Sequence, residues 1–97
     1  MANLHLVSQL KVESGLDKWL HRLVSDTDEI LFISDAVVSL LDAKCRQLLS
    51  TVNNPIYALE ADVKCRGIID KLPNFVKVVD DKTMVDLAAH NQQVISW

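Results

Sequence analysis

A three-layer α/β/α sandwich around a mainly parallel sheet of about five strands is the fold this sequence predicts, on three observations. Short apolar runs with β-branched members alternate with helical apolar stripes along the whole chain. One of those runs, Ile30-Leu31-Phe32-Ile33, is apolar at every position, which suits a strand covered on both faces, as in a parallel sheet. Gly15, Pro55, Gly67 and Pro73, the only two glycines and two prolines, all fall between the periodic segments. The 97 residues give room for a single domain over 1–97. Surface scaling leaves about 5,600 Å² exposed out of about 15,800 Å² for the unfolded chain, enough burial for one core without staples.

The elements follow in order. Asn3 to Val7 reads as a first strand. Ser14 is placed to cap a helix in which Leu16, Trp19, Leu20, Leu23 and Val24 form one apolar stripe at helical spacing. Ile30 to Ile33 is the second strand. A helical stripe then runs from Asp35 through Val37, Val38, Leu41, Cys45, Leu48 and Leu49, with a break near Asp42-Ala43. Asn53-Asn54-Pro55 ends it, because proline restricts its predecessor and cannot continue a helix. Ile56 to Leu59 is a third strand, and a short helical turn over Glu60 to Arg66 stops at Gly67, which suits a left-handed cap. Phe75 to Val79 is a fourth strand. Asp80 or Asp81 caps a helix through Ala89 with Met84, Leu87 and Ala88 inward, and Val94 to Trp97 is the last strand. In such sheets functional loops lie at the carboxyl ends of strands, here near Val7-Ser8-Gln9, Ser34-Asp35, Glu60-Asp62 and Asp80-Asp81.

Composition excludes several classes. Half of the chain is hydrophobic (49%) and 24% is charged, which is globular composition with an apolar surplus that hints at a subunit interface. Ten Lys plus Arg against thirteen Asp plus Glu give a net charge of −3, and the bases are scattered. No basic stripe exists for phosphate neutralisation, so neither direct nucleic-acid binding nor a polybasic membrane patch is expected. The start, Met1-Ala2-Asn3-Leu4-His5, lacks the pattern of a signal peptide, and Ser34, Asp35 and Ser39 break the longest apolar region. A cytoplasmic protein is the expectation. Two cysteines without a CxxC provide neither a disulfide framework nor a zinc ribbon.

Candidate chemistry is sparse. The loop after the first strand, Ser8 to Glu13, has no glycine, and neither GxGxxG nor a P-loop exists, so the layering is Rossmann-like without a nucleotide site. No cofactor is expected. The same loop has no acid, which argues against a phosphoacceptor receiver domain, and Asp35 and Asp80-Asp81 read as helix caps. Cys45 lies on an apolar stripe and reads as a small buried hydrophobe. Cys65, between Lys64 and Arg66, is the better nucleophile candidate because adjacent cations lower a thiol pKa, although consecutive helical residues point to different sides. His5, His21 and His90 have no second ligand at i+3 or i+4, so no metal site is expected. His5 reads as a hydrogen-bonded strand histidine, and His90 suits the negative end of a helix dipole. Trp97 ends an apolar segment whose exposure would be unfavourable, so it docks on its own sheet edge or is shared with another subunit. Trp19 and Trp97 are the interface candidates.

Several residues, spread over most of the chain, together resemble the TusB/DsrH family of the DsrE/DsrF/DsrH-like superfamily. They are Leu4-His5, Asp28-Glu29-Ile30-Leu31 with Asp35 and Val37, Tyr57-Ala58-Leu59 with Asp62 and Arg66-Gly67, Phe75-Val76-Lys77, and His90, Gln93 and Trp97. The resemblance implies a compact α/β sandwich. It also implies assembly with TusC-type and TusD-type chains into a two-fold heterohexamer. That complex passes persulfide sulfur from a TusA-type carrier towards a TusE-type carrier and a tRNA thiouridylase, for 2-thiouridine at the wobble position. DsrH-type relatives serve in sulfur oxidation and have a cysteine in the first helix, where this chain has Trp19. TusB-type chains also lack it. The resemblance therefore implies a non-catalytic subunit, with the sulfur-bearing cysteine on the TusD-type partner and no family role for Cys65. Two alternatives stay open: a persulfide-carrying subunit using Cys65, and a homo-oligomeric binding module; the isolated chain is a possible homodimer.

Overall fold

In the computed structural model, residues 2–9, 19–20 and 25–97 are described. Five strands, β1 (Asn3–Val7), β2 (Glu29–Phe32), β3 (Ile56–Leu59), β4 (Val76–Val79) and β5 (Gln93–Ser96), form one sheet in the order β4-β3-β2-β1-β5. Every pairing is parallel, as the unbroken apolar run of β2 predicts for the centre of such a sheet.

Handedness places the layers. From β1 to β4 the chain steps one strand at a time in one direction, so right-handed crossovers put those connections on one face. The link from β4 to β5 runs back across the sheet, so its helix lies on the other. The first face buries Val7, Ile30, Phe32, Ile56 and Ala58 under Val37, Leu40, Cys45, Leu49 and Val63, with Trp19 and Leu20. Those last two residues are helical, and the rest of the predicted first helix, with Ser14 and His21, lies outside the described residues. The opposite face packs Leu4, Leu31 and Val79 against Met84, Leu87 and Ala88 of α3 (Asp81–His90). The two sets alternate along each strand, as side chains on a pleated backbone must. These are the three layers that the sequence predicts.

Helix boundaries show where local chemistry acts. The stripe from Asp35 to Leu49 divides into a 3-10 helix (Ser34–Leu41) and α1 (Ala43–Ser50). The break falls at Asp42, whose backbone is extended and whose carboxylate accepts from the Cys45 amide at 3.0 Å. Asp80 likewise caps α3 by accepting from the Thr83 amide at 2.8 Å. Asp35 is a correction. It lies inside the 3-10 helix, which starts without a side-chain cap, and its carboxylate turns to Arg66 instead. After α2 (Glu60–Cys65), Gly67 adopts φ +64°. Its amide donates to Lys64 O and that of Ile68 to Val63 O, closing a Schellman cap in which Ile68 and Val63 are both buried.

Candidate functional site

The carboxyl crest of the sheet carries a polar cluster. Ser34, two residues past the end of β2, has φ +51°, a left-handed conformation that costs a non-glycine residue about 1 kcal/mol or more. Asp62, in the first turn of α2, holds it by accepting from the Ser34 amide at 2.7 Å. Arg66 closes the group, with Nη2 on Asp35 Oδ1 at 2.7 Å and Nη1 facing Asp62 Oδ1 at 3.7 Å. Asp35, Asp62 and Arg66, three of the residues that carry the resemblance, thus meet in space across 31 residues of chain. The arrangement is structural chemistry: two carboxylates bracket a guanidinium and fix a strained loop.

The two thiols fall in different surroundings. Cys45 is buried under the 3-10 helix, and burial pushes its thiol up to about 11 despite a bond to Ser39. Cys65 is exposed at the end of α2. The cations that flank it in sequence are both engaged: Lys64 faces Glu60 at 3.6 Å and Arg66 is bracketed by Asp35 and Asp62.

A second polar group lies inside the sheet layer, and sequence reading did not assemble it. His5 and Asp28 are 0% and 2% exposed. Nε2 of His5 is 2.6 Å from Asp28 Oδ2, and the Trp97 indole N–H donates to His5 Nδ1 at 3.0 Å. An indole nitrogen only donates, so Nδ1 must carry the lone pair and Nε2–H donates to Asp28. Asp28 further accepts from the Asn3 amide, the Ser25 amide and the Ser25 hydroxyl. Burial pushes its carboxyl up, but the hydrogen bonds, led by His5, hold it below the usual carboxylate range. Ser25 donates to Asp28 rather than to His5, so among the described residues the imidazole is bonded to a carboxylate and an indole and not to a hydroxyl. A histidine inside an apolar strand and an aspartate just ahead of the neighbouring strand were the available signals, since a buried imidazole needs partners.

The interface candidates part company. Trp19 is 5% exposed and meets His5 and Trp97 edge-on with ring centres 5.9 and 5.8 Å away, so it is a packing residue of the core. Trp97 docks on its own sheet edge: its amide donates to Leu6 O at 2.8 Å, and its carbonyl accepts from the Ser8 hydroxyl at 2.8 Å. A cleft of about 540 Å³ lies at the opposite, amino end of the strands, beside Thr27, Glu29, Pro55, His90 and Asn91. Its carboxylate is already engaged, Glu29 accepting from Tyr57 and Asn91. Burial and this acceptor push the Tyr57 phenol up to about 12. No described helix is long and apolar enough to cross a membrane.

These features define a small parallel α/β protein whose crest is braced by ion pairs and whose buried polar group is braced by aromatic rings. The chain belongs to the DsrH-like protein family, whose model matches residues 12–94. It is similar to Protein TusB of Photorhabdus laumondii subsp. laumondii, at 30% identity over 79 residues, covering 80% of this chain and 83% of that one. Protein TusB of Shigella dysenteriae serotype 1 is 35% identical over 80 residues, with the same coverage. Among solved structures, the ychN protein from E. coli superposes with a TM-score of 0.72 over the whole of both chains at 17% identity, a likeness of fold.

Proposed function

We propose that this chain is a non-catalytic subunit of a TusBCD-like sulfur-relay complex, which passes persulfide sulfur for 2-thiouridine formation at the tRNA wobble position. TusC-type and TusD-type chains are its partners, in the cytoplasm, and the TusD-type chain carries the reacting cysteine. TusA-type and TusE-type carriers reach it through the complex. Family membership supports the relay, and the state of the two thiols carries the non-catalytic part. Cys45 is buried with its thiol pushed up to about 11, and both cations beside Cys65 are engaged by carboxylates. A thiol that accepts sulfur needs exposure, which Cys45 lacks, and the two cations beside Cys65 are paired with carboxylates.

Co-expression with TusC-like and TusD-like chains tests the assembly, read as the mass of the intact complex. Recovery of this chain as a monomer in the presence of both would defeat it. Replacing both cysteines by serine tests the role. The relay of labelled sulfur to tRNA is expected to continue at the same rate. A second reading, in which Cys65 carries the persulfide, is favoured by its exposure alone. Under that reading the same variant stops the relay, and a one-sulfur mass increment appears on Cys65.

A further inference from the structure

The cleft at the amino end of the strands is unbalanced in charge. Glu29 alternates with Leu31 onto the α3 face of the sheet, the side away from Trp19 and Leu20. Its carboxylate has two partners, the Tyr57 hydroxyl on Oε2 at 2.7 Å and the Asn91 amide on Oε1 at 2.8 Å. Both are neutral donors. Among the described residues Glu29 forms no salt bridge, and those lining the cleft include no lysine or arginine.

Asn91 adds to the imbalance. Its side-chain nitrogen donates to Glu29 Oε1 and, at 2.7 Å, to Leu87 O. Both amide hydrogens are therefore spent, and a flipped amide would set its oxygen against a carboxylate and a carbonyl. That network fixes the orientation, and it leaves Oδ1 as a buried acceptor to which nothing donates. The orphan oxygen stands one amide width from the carboxylate. α3 also ends here, at His90, and its last carbonyls are the negative end of the helix dipole. A full charge, an orphan acceptor and a helix C-terminus thus meet at one cleft of about 540 Å³, beside Ala2, Thr27 and Pro55.

We propose that this cleft is a receptor for a primary alkylammonium group, the head and stem of a lysine side chain or of a free aliphatic amine, bound by Glu29 at the C-terminal end of α3. The head supplies what the site lacks, a positive charge and N–H donors. It pairs with the Glu29 carboxylate and lies in the field of the α3 terminus and the Asn91 carbonyl, which have the same sign. The stem lies along Ala2 and Pro55, whose side chains have no polar atoms. The volume falls in the range of small-molecule sites, about 300–1,000 Å³, so a four-carbon stem fits within it.

Existing hydrogen bonds select the shape of the cation. Each Glu29 oxygen already holds one donor and keeps a further lone pair. An ammonium is a compact point charge and needs only one of those lone pairs. A guanidinium binds a carboxylate best as a fork on both oxygens at once, where Tyr57 and Asn91 compete with it. Nothing in the cleft involves either thiol, so its occupancy is measurable on the chain alone, apart from any relay.

The test is an NMR titration of the full chain with n-butylamine at about pH 7.5, where the amine is charged, following backbone amides and the Asn91 side-chain amide. Saturable shifts are expected at residues 27–29 and 90–92, with a Kd of about 1–10 mM for so small a probe. The neutral counterpart n-butanol should bind at least about tenfold more weakly, and n-butylguanidine at least about threefold. Glu29→Gln keeps the shape and is expected to weaken n-butylamine at least about tenfold, whereas Asp35→Asn at the crest leaves it unchanged. Nα-acetyl-lysine methylamide and putrescine separate the two sources: tighter binding of the first assigns the cleft to a protein side chain, and of the second to a free amine. The proposal is overturned by the lack of a saturable shift at the cleft up to about 100 mM amine, by equal affinity for n-butanol, by tighter binding of n-butylguanidine, or by wild-type affinity in Glu29→Gln. If Glu29→Gln does not fold, the three probes on the wild-type chain decide alone.

Discussion

β2 is flanked by two aspartates that live in different worlds. Asp28, just before it, is 2% exposed and accepts four hydrogen bonds, from His5, Asn3 and Ser25. Asp35, just after it, is 84% exposed and pairs with Arg66 at 2.7 Å. By distance alone the two contacts look alike. Their surroundings decide what each is worth. At the crest, water screens the ion pair and competes for both partners. In the sheet layer His5 and Asp28 are both buried, so each donor aimed at Asp28 would be left unsatisfied without it.

Substitution of the buried aspartate is the severest test of that contrast. Asp28→Ala strands the His5 N–H, two amides and a hydroxyl, and is expected to cost about 3–5 kcal/mol in urea unfolding. Acid separates charge from shape at the same position. The native carboxyl is held below its unfolded value of about 3.9, so its contribution is full above that value and disappears as pH falls through the lower native one. Denaturation midpoints from neutral to strongly acid pH should show that loss in the wild type and a shallower one in Asp28→Asn. Equal slopes would mean that the carboxylate charge contributes nothing.

Gly67→Ala probes the backbone that presents Arg66 to the crest. Added Cβ atoms meet nothing within 4 Å, so the whole cost is the left-handed conformation at φ +64°, about 1–2 kcal/mol by thermal or urea unfolding. A larger loss would point to crowding at the cap. Asp35→Ala should be the mildest change. It removes an exposed carboxylate from the Arg66 pair, and its unfolding midpoint is expected to match the wild type at physiological salt. A clear loss that persists at high salt would show the crest cluster to be a stronger brace than its exposure implies.

Much of this architecture was legible in the sequence because it rests on local signals. The apolar run of β2 announced a strand covered on both faces, and Asp42, Asp80 and Gly67 announced their caps with residues at most three positions away. Asp35 was misread for the same reason. It stands before an apolar periodic run like a cap, but Arg66, 31 residues on, competes for its carboxylate. The buried group was illegible as a group. His5 to Asp28 spans 23 residues and His5 to Trp97 spans 92, and no spacing rule joins positions so far apart.

By itself the amino-acid sequence determined the alternation of strands and helices, the caps, the lack of a phosphate-binding loop and the family. Each of those is written in the identity of a residue and its near neighbours. Tertiary structure alone decided that Trp19 is interior, that Trp97 closes on β1, that His5 links it to Asp28, and that the cations beside Cys65 face carboxylates. Those outcomes depend on parallel strands bringing distant segments into register, where burial and unsatisfied donors, rather than proximity in the chain, choose the partners.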